Sequence, residues 1–197
     1  VKRRMVDKLL DLAGGSFNKR TIAVLGVTFK PNTDDMRDAP ALTIVPALVG
    51  GGANDWIYGG LGSDTSLGGL SGSNRVFGGS GEDTLFGRSG GDTIYGDAGD
   101  DRLYSGSGSD SVYGGDGNDN LSGGNHNDVL FGQNGDDDML GGGGDDTLWG
   151  SDGEDEMYGN NGADYLNGGA GRDKLFGQNG ADELRGGGQN DILNGGA

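Results

Sequence analysis

From residue 50 to residue 194 the chain repeats one nine-residue pattern of apolar and polar positions, as in residues 78–86, GGSGEDTLF. The eighth position is aliphatic or Met, running from Ile57, Val76, Leu85 and Ile94 to Leu184 and Leu193. In a strand successive side chains point to opposite sides, so of the last three residues only the eighth faces inward. Gly holds the first position in 15 of 16 repeats and the fourth in 13. Glycine is the default where the backbone needs a positive φ, so the first part of each repeat predicts a tight turn. The last three residues predict a short strand. One extra residue lies near Gly68, and placing it just before Leu67 puts Leu67 in the aliphatic slot.

A tight turn followed by a three-residue strand is the unit of a solenoid. Two units make a coil of eighteen residues, with strands on two opposite faces and turns on two edges. Sixteen repeats therefore predict an all-β solenoid, a parallel roll of about eight coils. No apolar run approaches the ~20 residues needed to span a bilayer.

Residues 1–49 follow other periods. Met5, Val6, Leu9, Leu10 and Ala13 share one face of a short helix that stops at Gly14. TIAVLGVTF (21–29) reads as a buried strand and KPNTDDMRDAP as a loop. ALTIVPALV reads as a short helix with Pro40 near its first turn. A short helix and one truncated β-loop-α unit thus precede the roll, with the boundary between residues 49 and 50.

Composition changes at the same place. Of 47 Gly, 44 lie from Gly50 onward, and all three prolines lie before it. Net charge is +3 over residues 1–49 and −20 over residues 50–197. So acidic a tract points to cations as partners and away from nucleic acid. The absence of Cys excludes a disulfide frame, a thiolate metal site and a cysteine nucleophile. Nothing at the start reads as a secretory signal, and an opening Val1 suggests a fragment.

The candidate chemistry is at the sixth position. It is Asp in 15 of 16 repeats: Asp55, Asp64, Asp83, Asp92, Asp101, Asp110, Asp119, Asp128, Asp137, Asp146, Asp155, Asp164, Asp173, Asp182 and Asp191, with Asn74 the exception. Repeats on one edge are two apart, so Asp83 stacks over Asp101 and Asp101 over Asp119. Carboxylates one strand spacing apart repel unless a cation lies between them. Hard oxygen ligands suit Ca²⁺, and metal binding then becomes part of folding. A disordered acidic linker would not keep an apolar residue every nine positions. Asn74 should weaken the sites it borders. Ala53, His126 and Gln189 replace the fourth-position Gly and should strain their turns.

The nonapeptide G-G-x-G-x-D-x-U-x resembles the RTX, or haemolysin-type, calcium-binding repeat over about three quarters of the chain. The resemblance implies a parallel β-roll with Ca²⁺ between turns of successive coils, held by the sixth-position Asp and turn carbonyls. It also implies a calcium-dependent structural or binding module of an extracellular protein exported by type I secretion, although no secretion signal is evident in this chain. The run TIAVLGVTFKPNTDDMRDAPALTIVPAL resembles the start of the UDP-binding domain of UDP-glucose/GDP-mannose 6-dehydrogenases, over roughly residues 1–53. That likeness implies a vestigial UDP-sugar contact at Phe29 and Lys30. The dinucleotide domain and nucleophilic Cys of those enzymes are missing from this sequence, so no catalysis is expected. An inactive fragment of an NAD-dependent oxidoreductase fused to repeats is the alternative.

The ninth position adds a feature. Tyr58, Phe77, Tyr95, Tyr113, Phe131 and Trp149 follow one another on one face, while Phe86, Tyr104, Ser122, Leu140, Tyr158 and Phe176 follow on the other. The unbroken aromatic run predicts either a stacking ladder or a docking strip for a glycan or protein partner, as in an adhesin.

Overall fold

The structure, a computed structural model, describes residues 22–24, 56–67 and 71–197. Among them all regular structure is β. The helices expected within residues 1–49, most of the 21–29 strand, and Phe29, Lys30, Ala53 and Asp55 lie outside the described residues.

Two parallel sheets face each other. One has nine strands: Ile22–Val24, then strands starting at Trp56, Arg75, Thr93, Ser111, Val129, Thr147, Tyr165 and Glu183. The other has eight, starting at Thr65, Thr84, Arg102, Asn120, Asp138, Glu156, Lys174 and Ile192. Successive strands alternate between sheets, and each pairs with the strand two further on. The register steps by eighteen, as in Ile94↔Val112 and Val112↔Leu130. Ile22–Val24 pairs in parallel with Trp56–Leu61, Ile22 opposite Trp56.

Apart from Ile22–Val24, Thr65–Leu67 and Ile192–Asn194, the strands are six residues long rather than three. Thr84–Ser89 covers positions seven to nine of one repeat and one to three of the next. Burial alternates along it, so Leu85 and Gly87 face inward. The turn is therefore confined to positions four to six. The interior is a single column of side chains from the two sheets, with Val76, Leu85, Ile94, Leu103 and Val112 all fully buried.

Fourth-position glycines do take positive φ, as at Gly117 (132°), and His126 (79°) and Gln189 (70°) are held in the same left-handed region. A non-Gly residue there costs about 1–2 kcal/mol. First-position glycines such as Gly78 and Gly87 do not; their requirement is space, described below. The extra residue is also placed differently. Ser66 is opposite Leu85 and Leu67 opposite Phe86, so Ser66 takes the eighth-position slot, Leu67 the ninth, and the insertion follows the strand. The strand thereby keeps the backbone register of its partner; a one-residue slip would reverse every side chain along it.

On the outside of the nine-stranded sheet the ninth-position rings stack. Tyr58–Phe77, Phe77–Tyr95, Tyr95–Tyr113 and Tyr113–Phe131 have centroids 4.7, 4.9, 4.9 and 5.0 Å apart, with planes within 9° of parallel. Trp149 instead tilts by 49° against Tyr165. The other face carries two shorter stacks, Phe86–Tyr104 and Tyr158–Phe176, with Ser122 and Leu140 between them.

Candidate metal centres

The sixth-position side chains turn inward at the sheet edges. Those from Asp64 to Asp173 are at most 4% exposed. They form two rows along the roll. On one edge the main-chain N–H of Asp64 donates to Asp83 Oδ1, Asp83 to Asp101, Asp101 to Asp119, and so on to Asp191. On the other the row runs Asn74, Asp92, Asp110, Asp128, Asp146, Asp164, Asp182 in the same way. Every distance is between 2.6 and 3.1 Å.

This uses one oxygen of each carboxylate. The other, Oδ2, is buried without a hydrogen-bond partner in every Asp from Asp64 to Asp182 along both rows. A buried unpaired carboxylate oxygen is costly. Except at Asp110, whose repeat opens with Ser105, each of these Oδ2 atoms lies against the first glycine of its own repeat. A Cβ built on Gly78 would come within 2.5 Å of Asp83 Oδ2 and 2.6 Å of the carbonyl oxygen of Gly96 in the next coil. On Gly87 the distances would be 2.6 Å to Asp92 Oδ2 and 2.7 Å to the Ser105 carbonyl. The first-position glycine thus keeps open a cradle where a carboxylate oxygen and a main-chain oxygen of the next coil converge.

The electrostatics agree. Burial, followed by neighbouring carboxylates in the row, pushes the Asp83, Asp101 and Asp146 carboxyls up to about 7. Asp137, between Asp119 and Asp155, is pushed up to about 8, again mainly by burial. These groups resist carrying charge unless something positive offsets it. Among the described residues no three His, Cys, Asp or Glu side chains gather as a metal-binding group. A cation here would be shared by two carboxylates of successive coils and by turn carbonyls. Unpaired buried oxygens, an all-oxygen donor set and a cradle without a side chain fit a hard divalent ion such as Ca²⁺.

The structure brings together fifteen of the sixteen sixth-position residues in two rows as donors, acceptors or both, with Asn74 a donor and Asp191 a terminal acceptor; Asp55 lies outside the described residues. The aliphatic period alone did not reveal a second ladder at the fifth position, exposed and running in the opposite sense. Asn118 N–H donates to Asp100 Oδ1, Asp136 N–H to Asn118 Oδ1, and Glu154 N–H to Asp136 Oδ1, at 2.8–3.0 Å. Its signal in the sequence is the recurrence of Asp and Asn at that position.

Comparison with known proteins agrees with both parts of this chain. The model of the UDP-glucose/GDP-mannose dehydrogenase family UDP-binding domain matches residues 23–59. Among curated proteins, UDP-glucose 6-dehydrogenase of Rhizobium meliloti is 58% identical over 52 residues, which is 26% of this chain and 12% of that protein. UDP-glucose 6-dehydrogenase TuaD of Bacillus subtilis is 61% identical over 44 residues, 22% of this chain and 9% of that protein. The chain therefore spans only about a tenth of the length of these relatives. No solved structure matches it. The model of the RTX calcium-binding nonapeptide repeat matches in overlapping segments from residue 68 to residue 197, over the same coils that carry the two Asp rows. By that match, and by the roll it predicts, the chain belongs to the RTX calcium-binding nonapeptide repeat family.

Proposed function

We propose that this chain is a calcium-stabilised β-roll serving as a structural or binding module of an extracellular protein, with the sixth-position Asp residues as the calcium ligands. The observation that carries this reading is the unpaired buried Oδ2 repeated along both edges. Calcium supplies the positive charge that these oxygens lack. Asp55 belongs to the same set by its position in the repeat. Extracellular calcium is abundant enough to load weak sites, and membership of a family typical of secreted proteins supports that location. No helix of the described residues is long and apolar enough to cross a membrane. The test is a calcium titration of the whole chain from excess chelator, followed by circular dichroism and by equilibrium dialysis. Cooperative gain of β-structure with uptake of several ions is expected. Full β-structure in chelator without calcium uptake would overturn it.

In this reading residues 50–197 form the roll and residues 1–49 are a truncated dehydrogenase-like segment. The dehydrogenase-domain match reaches residue 59, so it overlaps the first repeat, and the glycines at 50–52 serve both patterns. The segment performs no oxidation by itself, because the sequence has no Cys to act as the nucleophile that the likeness implies. Any UDP-sugar contact at Phe29 and Lys30 is a remnant. NADH formation from UDP-glucose by the purified chain would contradict this.

For the aromatic strip the structural role is favoured over a glycan or protein partner. The ring faces that a sugar would cover are already covered by neighbouring rings. The groove beside Tyr95 and Tyr113, lined also by Asp97, Asp116 and Gln133, is 190 Å³, below the roughly 300 Å³ at which ligand pockets begin.

A further inference from the structure

Two repeats on one edge put a hydrogen-bond donor where the others present only oxygen. The first is the Asn74 repeat. Asn74 Nδ2 donates to Asp92 Oδ1 at 2.8 Å, beside the main-chain bond from the same residue. The second departure is at the cradle itself. Ser105 stands in the first position, where every other repeat has Gly, and it is fully buried. Its Cβ occupies the space that is left empty at Gly87 and Gly123. A Cβ at either glycine would lie 2.6 Å from the Asp oxygen of its repeat and 2.7 Å from a carbonyl of the next coil. The Ser105 hydroxyl donates to the carbonyl of Gly123 at 2.5 Å. The main-chain oxygen that should converge with Asp110 Oδ2 is therefore already engaged. On the opposite edge the repeats of Asp83, Asp101, Asp119, Asp137, Asp155 and Asp173 all keep Gly in the cradle.

We propose that the two edges of the roll are inequivalent: the Asp64–Asp191 edge binds calcium along its length, whereas on the other edge Ser105 engages the Gly123 carbonyl beside Asp110 and Asn74 engages Asp92 Oδ1, so that the gap above each of these two residues binds calcium more weakly. This rests on the reading of the Asp rows as calcium sites. An O–H or N–H pointing at an oxygen competes with a cation for the same lone pairs. A side chain in the cradle also takes the room a cation and its carbonyl ligand would share. Calcium affinity in oxygen sites is set by ligand number and charge, so losing one carbonyl or one carboxylate weakens a site without unfolding its neighbours.

The deciding variant is Ser105→Gly, which adds no charge and restores the glycine found in the other repeats. Asn74→Asp is the second variant. Calcium stoichiometry and affinity are measured on the full chain by calorimetry and equilibrium dialysis, with circular dichroism confirming the folded state at saturation. Each substitution should add about one bound ion, or tighten the weakest phase about tenfold or more. If the unaltered chain takes up no calcium, the reading of the Asp rows fails. If it does, and Ser105→Gly leaves both number and affinity unchanged or lowered, the inequivalence alone is overturned.

Discussion

The main-chain N–H of Asp119 donates to Oδ1 of Asp137, eighteen residues on, at 2.8 Å. This contact ties the turn of one coil to the carboxylate of the next while leaving Asp137 Oδ2 buried and unpaired. The same side chain thus closes the coil and exposes a need for charge.

Asp119→Ala should hurt more than Asp191→Ala. Asp119 accepts from Asp101 and donates to Asp137 in mid-row, and its loss leaves a buried N–H unpaired at a cost of about 1–3 kcal/mol. It also spoils two calcium gaps. Asp191 accepts from Asp173 at 3.1 Å near the end of its row and is more exposed. The calcium midpoint of folding, read by circular dichroism, should rise clearly for the first variant and little for the second. Equal shifts would contradict the row arrangement.

Gly87→Ala tests the cradle. The new methyl would meet both Asp92 Oδ2 and the Ser105 carbonyl, so overpacking of about 1–3 kcal/mol is expected, with a loss of calcium uptake. Gly195→Ala, with nothing within 4 Å of the added carbon, is the control and should behave like the parent in chemical denaturation.

Acid should partly substitute for calcium. Burial first, and then neighbouring carboxylates, holds Asp83, Asp101, Asp128 and Asp146 at about 7 and Asp137 at about 8. The folded-state values lie above the unfolded one, so the folded chain binds these protons more tightly. The associated stability is complete below the unfolded carboxylate value and is lost as pH rises through the range of about 7 to 8. In excess chelator, β-structure should therefore increase between about pH 8.5 and about pH 5. A flat dichroism signal across that interval would rule this out.

Tyr113→Ser removes two stacks, with Tyr95 at 4.9 Å and Phe131 at 5.0 Å. At about 0.5–1.5 kcal/mol per aromatic pair the calcium-loaded roll should lose roughly 1–3 kcal/mol. Calcium stoichiometry should stay the same, since the rings lie on a face and the Asp rows at the edges. A changed ion count would link the ladder to the metal sites.

The sequence period made the parallel stack, the inward apolar column and the outward rings legible, because all three depend only on which residues recur eighteen apart. Three features were less accessible. Gly78 and Gly87 look like turn glycines, yet they are needed for close approach of Asp83 and Asp92, a contact no local rule reveals. The position of the insertion beside Leu67 depends on the register of the paired strands, which sets Ser66 opposite Leu85 and which nine-residue spacing alone does not decide. The inward direction of the Asp side chains follows from extending the strand alternation through the turn. That alternation becomes visible only once the strands prove to be six residues long.

The hydrogen bonds of each Asp row all run the same way, from the amide of one coil to the carboxylate of the next. The roll is in this respect a one-dimensional crystal with polarity. Within each row the carboxylate of a coil faces the preceding coil and its amide the following one. Two such rolls can extend the same bonding only head to tail, by continuing the translation. Meeting face to face at like ends, they would set donor against donor or acceptor against acceptor.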